Sequence, residues 1–263
     1  MTDERFIQKY GPWVLVAGGS DGLGGAWSEA FAKRGLNVAL VARRREPLES
    51  KAKELEARYK VDTLTISLDL SSASAADELS EGLSGVELGS VVYNAALSPG
   101  GIFDKTPKDA LLGALITNVV TPTSLLRNLL PRLLERDHSA VVLVSSLAGY
   151  AGSSSLATYG ATKAYLRMLG EALWEENRAT GLDVLVTSPG AVTTPGLIAR
   201  SAKKIPGQLS PDAIVELSLS HLGKSPTFVP GIVNQLAATL LGRVLPRSSA
   251  TSLMRKSSSG IAN

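Results

Sequence analysis

"WVLVAGGSDGLGGAW", residues 13–27, runs from an apolar segment of strand character into a glycine-rich turn and the start of a helix. Aliphatic residues without polar alternation suit a strand buried on both faces, as in a parallel sheet. Gly18, Gly22 and Gly24 follow with the spacing G-x-x-x-G-x-G. Glycines there let the backbone bend tightly and approach a pyrophosphate, whose charge the helix N-terminus stabilises. In this strand, turn and helix context the stretch reads as a dinucleotide-binding turn.

The same alternation continues along the chain. Strand-like runs fall at 13–17, 37–42, 63–68, 90–95, 140–146 and 183–188, and helical stretches lie between them near 22–35, 46–59, 73–84, 109–136 and 158–179. Repeated βαβ units imply a doubly wound parallel sheet, a Rossmann-like α/β fold, and no linker divides residues 1–263 into more than one domain. From Ala110 to Leu126 there is no charge, and in 158–179 Arg167, Glu171, Glu175 and Arg178 form one narrow stripe. Helices this apolar need cover on a second side, so 109–136 and 158–179 are expected to pair subunits into a homodimer or homotetramer.

Composition narrows the chemistry. The 263 residues are 44% hydrophobic and include no Cys, which excludes disulfides and thiolate metal sites. His138 and His221 are the two histidines, too few for a metal centre, and both read as surface residues. The first residues, "MTDERFIQKYGPW", show no basic start before an apolar run, so a cytoplasmic protein is expected. The last 64 residues hold eight of the 27 Lys and Arg but two of the 24 Asp and Glu. No nucleic-acid-binding motif accompanies this basic surplus.

The second strand-like run ends "VALVARRRE". A NAD-specific turn places a carboxylate near this point to hold the ribose hydroxyls, whereas here Ala42 is followed by Arg43. A guanidinium suits the 2′-phosphate of NADP, and three arginines at a positive helix start ask for an anion nearby. NADP(H) is therefore the expected cofactor. Asp69 is placed to bind the adenine amino group; a helix cap would look the same, with Ser71 a competing cap.

In "ATYGATKAYLRMLGEALWEEN", residues 157–177, Tyr159 and Lys163 stand one helical turn apart. An ammonium beside a phenol favours the phenolate and draws its pKa down from about 10, so that the tyrosine can exchange a proton with a carbonyl oxygen. Ser146, at the C-terminal end of the fifth strand-like run, supplies a hydroxyl where ligands bind in such sheets. Asn118 lies in the charge-free helix, where a buried amide needs partners, and a water joining it to Lys163 is expected.

Taken together, "AGGSDGLG", "YNAA", Asn118, "SSLAG", "YGATK" and "SPGAVTTP" resemble the short-chain dehydrogenase/reductase family of about 250 residues, over Trp13 to Pro195. The resemblance implies a catalytic tetrad of Ser146, Tyr159, Lys163 and Asn118, with Lys163 also on the nicotinamide ribose. It implies a cofactor lined by Gly18, Ser20, Asp21, Gly22, Leu23, Gly24, Asn94 and Ala95, with Pro189, Val192 and Thr194 on the carboxamide. Within the family the chain is most similar to the branch of 17β-hydroxysteroid dehydrogenases and very-long-chain 3-oxoacyl-CoA reductases. Eukaryotic members of that branch carry a membrane-spanning N-terminal segment that "MTDERFIQKYGPW" does not contain, pointing to a soluble bacterial-type relative. Ala17, Tyr93 and Ala96 depart from the family's Thr, Asn and Gly, which should alter cofactor affinity and leave the chemistry. Asp21 is acidic where many NADP-dependent members are basic.

The implied reaction is NADP(H)-dependent hydride transfer between the nicotinamide and an apolar ketone or secondary alcohol. A lid at 194–211 mixes Leu197 and Ile198 with Arg200, Lys203 and Lys204. It would admit an apolar substrate with an anionic handle, or be an amphipathic helix whose cations face water. The tail, 232–263, contains an apolar run at 236–245 that packs on its own subunit or on a partner subunit, or lies on an anionic membrane. A non-catalytic NADP(H) sensor and a sugar-nucleotide epimerase are the rival functions. The intact tetrad argues against the first, and the short chain after Pro189 against the second.

Overall fold

The computed structural model describes residues 3–193 and 205–258. Seven parallel strands form one sheet: β1 (Trp13–Ala17), β2 (Asn37–Ala42), β3 (Thr63–Ser67), β4 (Leu88–Tyr93), β5 (Ser139–Val144), β6 (Leu182–Thr187) and β7 (Thr227–Phe228). Their order is β3-β2-β1-β4-β5-β6-β7. Chain direction along the sheet reverses between β1 and β4, and open α/β sheets bind ligands at the carboxyl ends beside such a reversal.

Alternation along each strand divides the interior into two cores. Val14, Val16, Val38, Leu40, Val142 and Leu185 face α2 (Gly22–Ala32) and α3 (Arg45–Tyr59). Leu15, Ala17, Val41, Tyr93, Leu143 and Val186 face the other way, toward α4 (Ala75–Gly82), α6 (Thr121–Leu134) and α7 (Ala157–Glu176). Burial on both sides is why the central strands read as unbroken apolar runs. β3 departs from that reading: only one neighbour covers it, and its residues are half-buried or exposed.

Strands β4 to β6 end one or two residues before the apolar runs do. Asn94, Ala95, Ser145, Ser146 and Ser188 leave the ladder and turn into the loops at the carboxyl edge. The stretch expected as one helix at 109–136 is α5 (Lys108–Leu115) and α6 joined by a π-helical turn at Ile116–Val120. Such single π turns recur at functional sites. Two elements had no clear signal in the sequence: the two-residue β7, and α1 (Asp3–Tyr10), whose Phe6 and Tyr10 are buried under the sheet.

The outer faces of 108–134 and α7 leave Leu112, Leu115, Val120, Leu134 and Met168 exposed. That helical stretch is also long and apolar enough to cross a membrane, but it is packed along the sheet through Leu125, Leu126, Leu129 and Leu133. The remaining helices are α8 (Pro211–Leu219), α9 (Ile232–Thr239) with a π turn at Leu240–Val244, and α10 (Arg247–Ser258).

Candidate active site

The glycine turn sits over the end of β1, held by the amides of Gly18 and Gly19, which both donate to the Val41 carbonyl. Gly18 has a φ of +78°, and a Cβ there would stand 3.0 Å from the Ala95 backbone. At Gly24 a Cβ would stand 1.8 Å from the Gly18 carbonyl oxygen. Asn94 closes the turn from β4, its amide donating to the same carbonyl at 3.3 Å. Asp21 caps α2, accepting the Gly22 N–H at 2.6 Å. Ser20 is part-exposed beside it, whereas Leu23 turns inward and packs against the core under α2.

Next to this turn a cavity of about 320 Å³ is lined by Gly18, Arg43, Asp69, Asn94, Ala95 and Thr117. Asp69 accepts both the N–H and the hydroxyl of Ser71, which with Arg43 nearby hold its carboxyl below the usual range. Neither Asp69 nor Ser71 caps α4, whose cap position is Ser74. Arg44 also lines the cavity but reaches back to Asp21 at 3.7 Å, whereas Arg43 stands on the Asp69 side of the cavity. One lining group was missed in the sequence. Thr117 is 4% exposed and its hydroxyl has no partner among the described residues, an orphaned buried polar atom facing the space a dinucleotide would fill. Tyr93, the departure from the family's Asn, donates its phenol to the Thr117 carbonyl at 2.5 Å.

Beyond the cavity, Ser146 and α7 bring the polar residues together. The Ser146 hydroxyl accepts from the Ala148 N–H at 3.2 Å and acts on the Tyr159 phenol, drawing its pKa down. Lys163 is 2% exposed, with its Nζ 5.6 Å from the centre of the Tyr159 ring. The sequence expectation that Lys163 lowers the Tyr159 pKa is corrected here. Burial pushes the phenol up and only the Ser146 hydrogen bond opposes it, because the ammonium is turned away to donate to the Val144 carbonyl at 2.7 Å. Burial draws Lys163 itself down to about 7.

That shift has a measurable sign. Between about pH 7 and pH 10 the unfolded chain binds a proton at Lys163 that the folded chain lacks, so stability rises with pH across this window and is lost as pH falls toward 7. Lys163→Met removes the dependence. In urea unfolding of both proteins without cofactor, the stability of the wild type relative to the variant should climb by roughly 1 kcal/mol per pH unit. Parallel pH curves would contradict a neutral buried lysine.

Asn118 is buried among partners from two elements. Its carbonyl oxygen accepts the Leu97 N–H at 2.8 Å, and its amide donates to the Leu97 carbonyl at 2.8 Å and to the Thr162 hydroxyl at 3.0 Å. Both hydrogens of the amide are taken up by these two contacts. It clamps the loop after β4 onto α7, and Thr162 passes the clamp on by donating to the Tyr159 carbonyl at 2.8 Å.

The family model for short chain dehydrogenases matches residues 12–204, which include this whole constellation. The chain belongs to the short chain dehydrogenases. It is 30% identical to a 7beta-hydroxysteroid dehydrogenase of Clostridium sardiniense, covering 88% of this chain and 90% of the relative. It is also 30% identical to the very-long-chain 3-oxoacyl-CoA reductase of Homo sapiens, over 81% and 69% of the two chains. A solved 7beta-hydroxysteroid dehydrogenase superposes with a TM-score of 0.89 at 30% identity, covering 94% of this chain and 98% of that one. A short-chain dehydrogenase from Sphingobium yanoikuyae in complex with NADPH gives 0.76 at 26% identity, over 84% and 88%. The branch expected from the sequence is the one these relatives occupy.

As in other short chain dehydrogenases, the nicotinamide cofactor and the reacting carbonyl belong at the carboxyl edge of the sheet. On that edge Pro189 accepts the Leu147 N–H at 3.0 Å, and Val192 pairs with Leu209. Thr194 and most of the proposed lid, 194–204, lie outside the described residues. The described end of that segment is held by Asn234, a residue without a motif to mark it. Its amide donates to the carbonyls of Gly207 and Pro230 at 2.9 and 2.8 Å. The tail contributes more than expected: Leu241, Leu245, Ala250 and Met254 form a cluster with Ala148, Tyr150, Ala151 and Tyr159.

Proposed function

We propose that this short chain dehydrogenase is an NADP(H)-dependent carbonyl reductase or alcohol dehydrogenase acting on an apolar ketone of steroid or 3-oxoacyl type. The observation that carries the reading is the grouping of Ser146, Tyr159 and a buried Lys163, its Nζ 5.6 Å from the Tyr159 ring centre, at the carboxyl edge of the sheet. Ser146, fixed by the Ala148 N–H, orients the substrate oxygen. Tyr159, kept protonated by burial, gives its proton to that oxygen as negative charge develops there. Lys163, held by the Val144 carbonyl, would bind the nicotinamide ribose. The bound cofactor supplies the hydride. Asn118 and Thr162 act by holding α7 in register with the loop after β4.

Support for an apolar substrate comes from Leu241, Leu245 and Met254 beside Tyr159, and from relatives named for a hydroxysteroid and a 3-oxoacyl-CoA. Support for NADP(H) comes from Arg43 in the cavity, the lack of a carboxylate after β2, and the Sphingobium yanoikuyae relative solved with NADPH. Pairing of cytoplasmic subunits through 109–136 and 158–179 fits the apolar outer faces of those helices.

The test is NADPH consumption by the purified protein against oxosteroids, 3-oxoacyl thioesters, simple ketones and aldehydes. Turnover on the first two classes above the others is expected, and tight NADPH binding with no turnover on any would favour a sensor. Arg43→Ala should raise the KM for NADPH about tenfold and leave that for NADH unchanged, the loss of one exposed charge-assisted contact. An equal change in both would remove Arg43 from the 2′-phosphate.

A further inference from the structure

The C-terminal side carries an apolar stripe that no described element covers. In α9 and the π turn after it, Ile232, Leu236, Leu240 and Val244 recur at four-residue steps, which a helix brings to one face. Ile232 is 76% exposed, Leu236 68% and Val244 63%. The opposite face is seated, with Asn234, Ala238 and Leu241 buried. Polar groups among the outward residues turn back to the chain. Thr239 donates to the Gln235 carbonyl at 3.0 Å, and the Gln235 amide donates to the Val229 carbonyl at 3.1 Å. Single exposed aliphatics are ordinary on a surface, but a contiguous row marks a contact.

Charge says what the contact is. Arg243 stands exposed between Leu240 and Val244, and Arg247 and Arg255 are exposed on α10, one Arg247 nitrogen donating to the Tyr150 and Leu241 carbonyls at 3.1 and 3.4 Å. Residues 138–170, 184–193, 205–211 and 217–258, which include the segments packed around α9 and the tail, contain no Asp or Glu. A second copy meeting this face isologously would set the patch against itself, cation against cation with no carboxylate to separate them. An anionic bilayer has the complementary chemistry, with acyl chains for the stripe and phosphates for the arginines.

We propose that this face docks on an anionic lipid surface, Ile232, Leu236, Leu240 and Val244 entering the boundary between headgroups and acyl chains while Arg243 and the α10 arginines meet lipid phosphates. Docking does not depend on the reaction assigned above. If that reading holds as well, a bilayer lies beside the catalytic shelf, because Leu241 and Leu245 pack against Ala148 and Tyr159.

The experiment is co-sedimentation of the full chain with vesicles of phosphatidylcholine alone, or mixed with phosphatidylglycerol, at low and high salt. Binding is expected on the mixed vesicles, at least about tenfold weaker on neutral ones and weakened likewise by high salt, as screening of surface charges requires. The double variant Ile232→Asp, Leu236→Asp should lose binding by at least about tenfold, since two charges cannot enter the acyl boundary. Its mass by light scattering and its NADPH affinity should be unchanged. No sedimentation with either vesicle, equal binding to both, or binding retained by the variant overturns the proposal. A variant that falls to a smaller oligomer also overturns it and assigns the stripe to subunit pairing.

Discussion

Tyr159→Phe lowers kcat by about 10³-fold on every ketone the wild type reduces, within the 10²–10⁴ range of a lost proton transfer. NADPH affinity stays within about threefold, because the substitution removes one hydroxyl and keeps the ring that packs with Leu241 and Leu245. Single-turnover kinetics and a fluorescence titration of NADPH separate the two effects. The Ser146 hydroxyl, part-exposed, turns to water in the variant and leaves no unsatisfied group in the core. A variant that loses cofactor binding and turnover together would make Tyr159 a binding residue and end the acid–base assignment.

Gly24→Ala abolishes dinucleotide binding and costs more than about 3 kcal/mol of stability, beyond the usual range for one added methyl in a packed site. The new Cβ would stand 1.8 Å from the Gly18 carbonyl oxygen and 2.7 Å from the Asn94 amide nitrogen, and the first of these is backbone that cannot swing aside. The start of α2 must therefore lift away from the turn that approaches the pyrophosphate. Gly25→Ala is the control one residue on, where the nearest atom to a Cβ is 3.7 Å away. It should be neutral or add up to about 1 kcal/mol, as alanine does for glycine inside a helix. Thermal melts with and without NADPH read both: no ligand-induced shift for the first variant, a wild-type shift for the second. Equal behaviour of the two would mean that close approach at Gly24 is not what the turn requires.

The parts of this protein legible in the sequence are those where local pattern and tertiary role coincide. β1 and β2 occupy the residues their apolar runs mark, since both are interior strands with the same demand on each face. The glycine turn, Ser146 and the Tyr159–Lys163 pair were legible because each needs a fixed residue type at a fixed step. What spacing does not carry is where a side chain turns once packed. Lys163 lies one turn after Tyr159, yet its ammonium goes to the end of β5. Asn118 asks for polar partners, and the fold supplies them from residues 21 and 44 positions away. Arg43 and Arg44 are alike as letters, and only the fold sets Arg44 toward Asp21. β7 is two residues long, below any periodicity, and exists because β6 offers it an edge.

The family match begins at residue 12, whereas the packed body begins earlier. In α1, Tyr10 and Lys9 both donate to the Asp183 carboxylate, at 2.7 and 2.6 Å, and the Tyr10 carbonyl accepts the hydroxyl of buried Ser90 at 2.7 Å. A fragment trimmed to the homologous residues thus lacks the clasp that fastens the start of the chain across the underside of β4 and β6. The span that the family model matches and the span that packs together are here two different lengths of polypeptide, and an expression vector that encodes the longer one keeps this clasp.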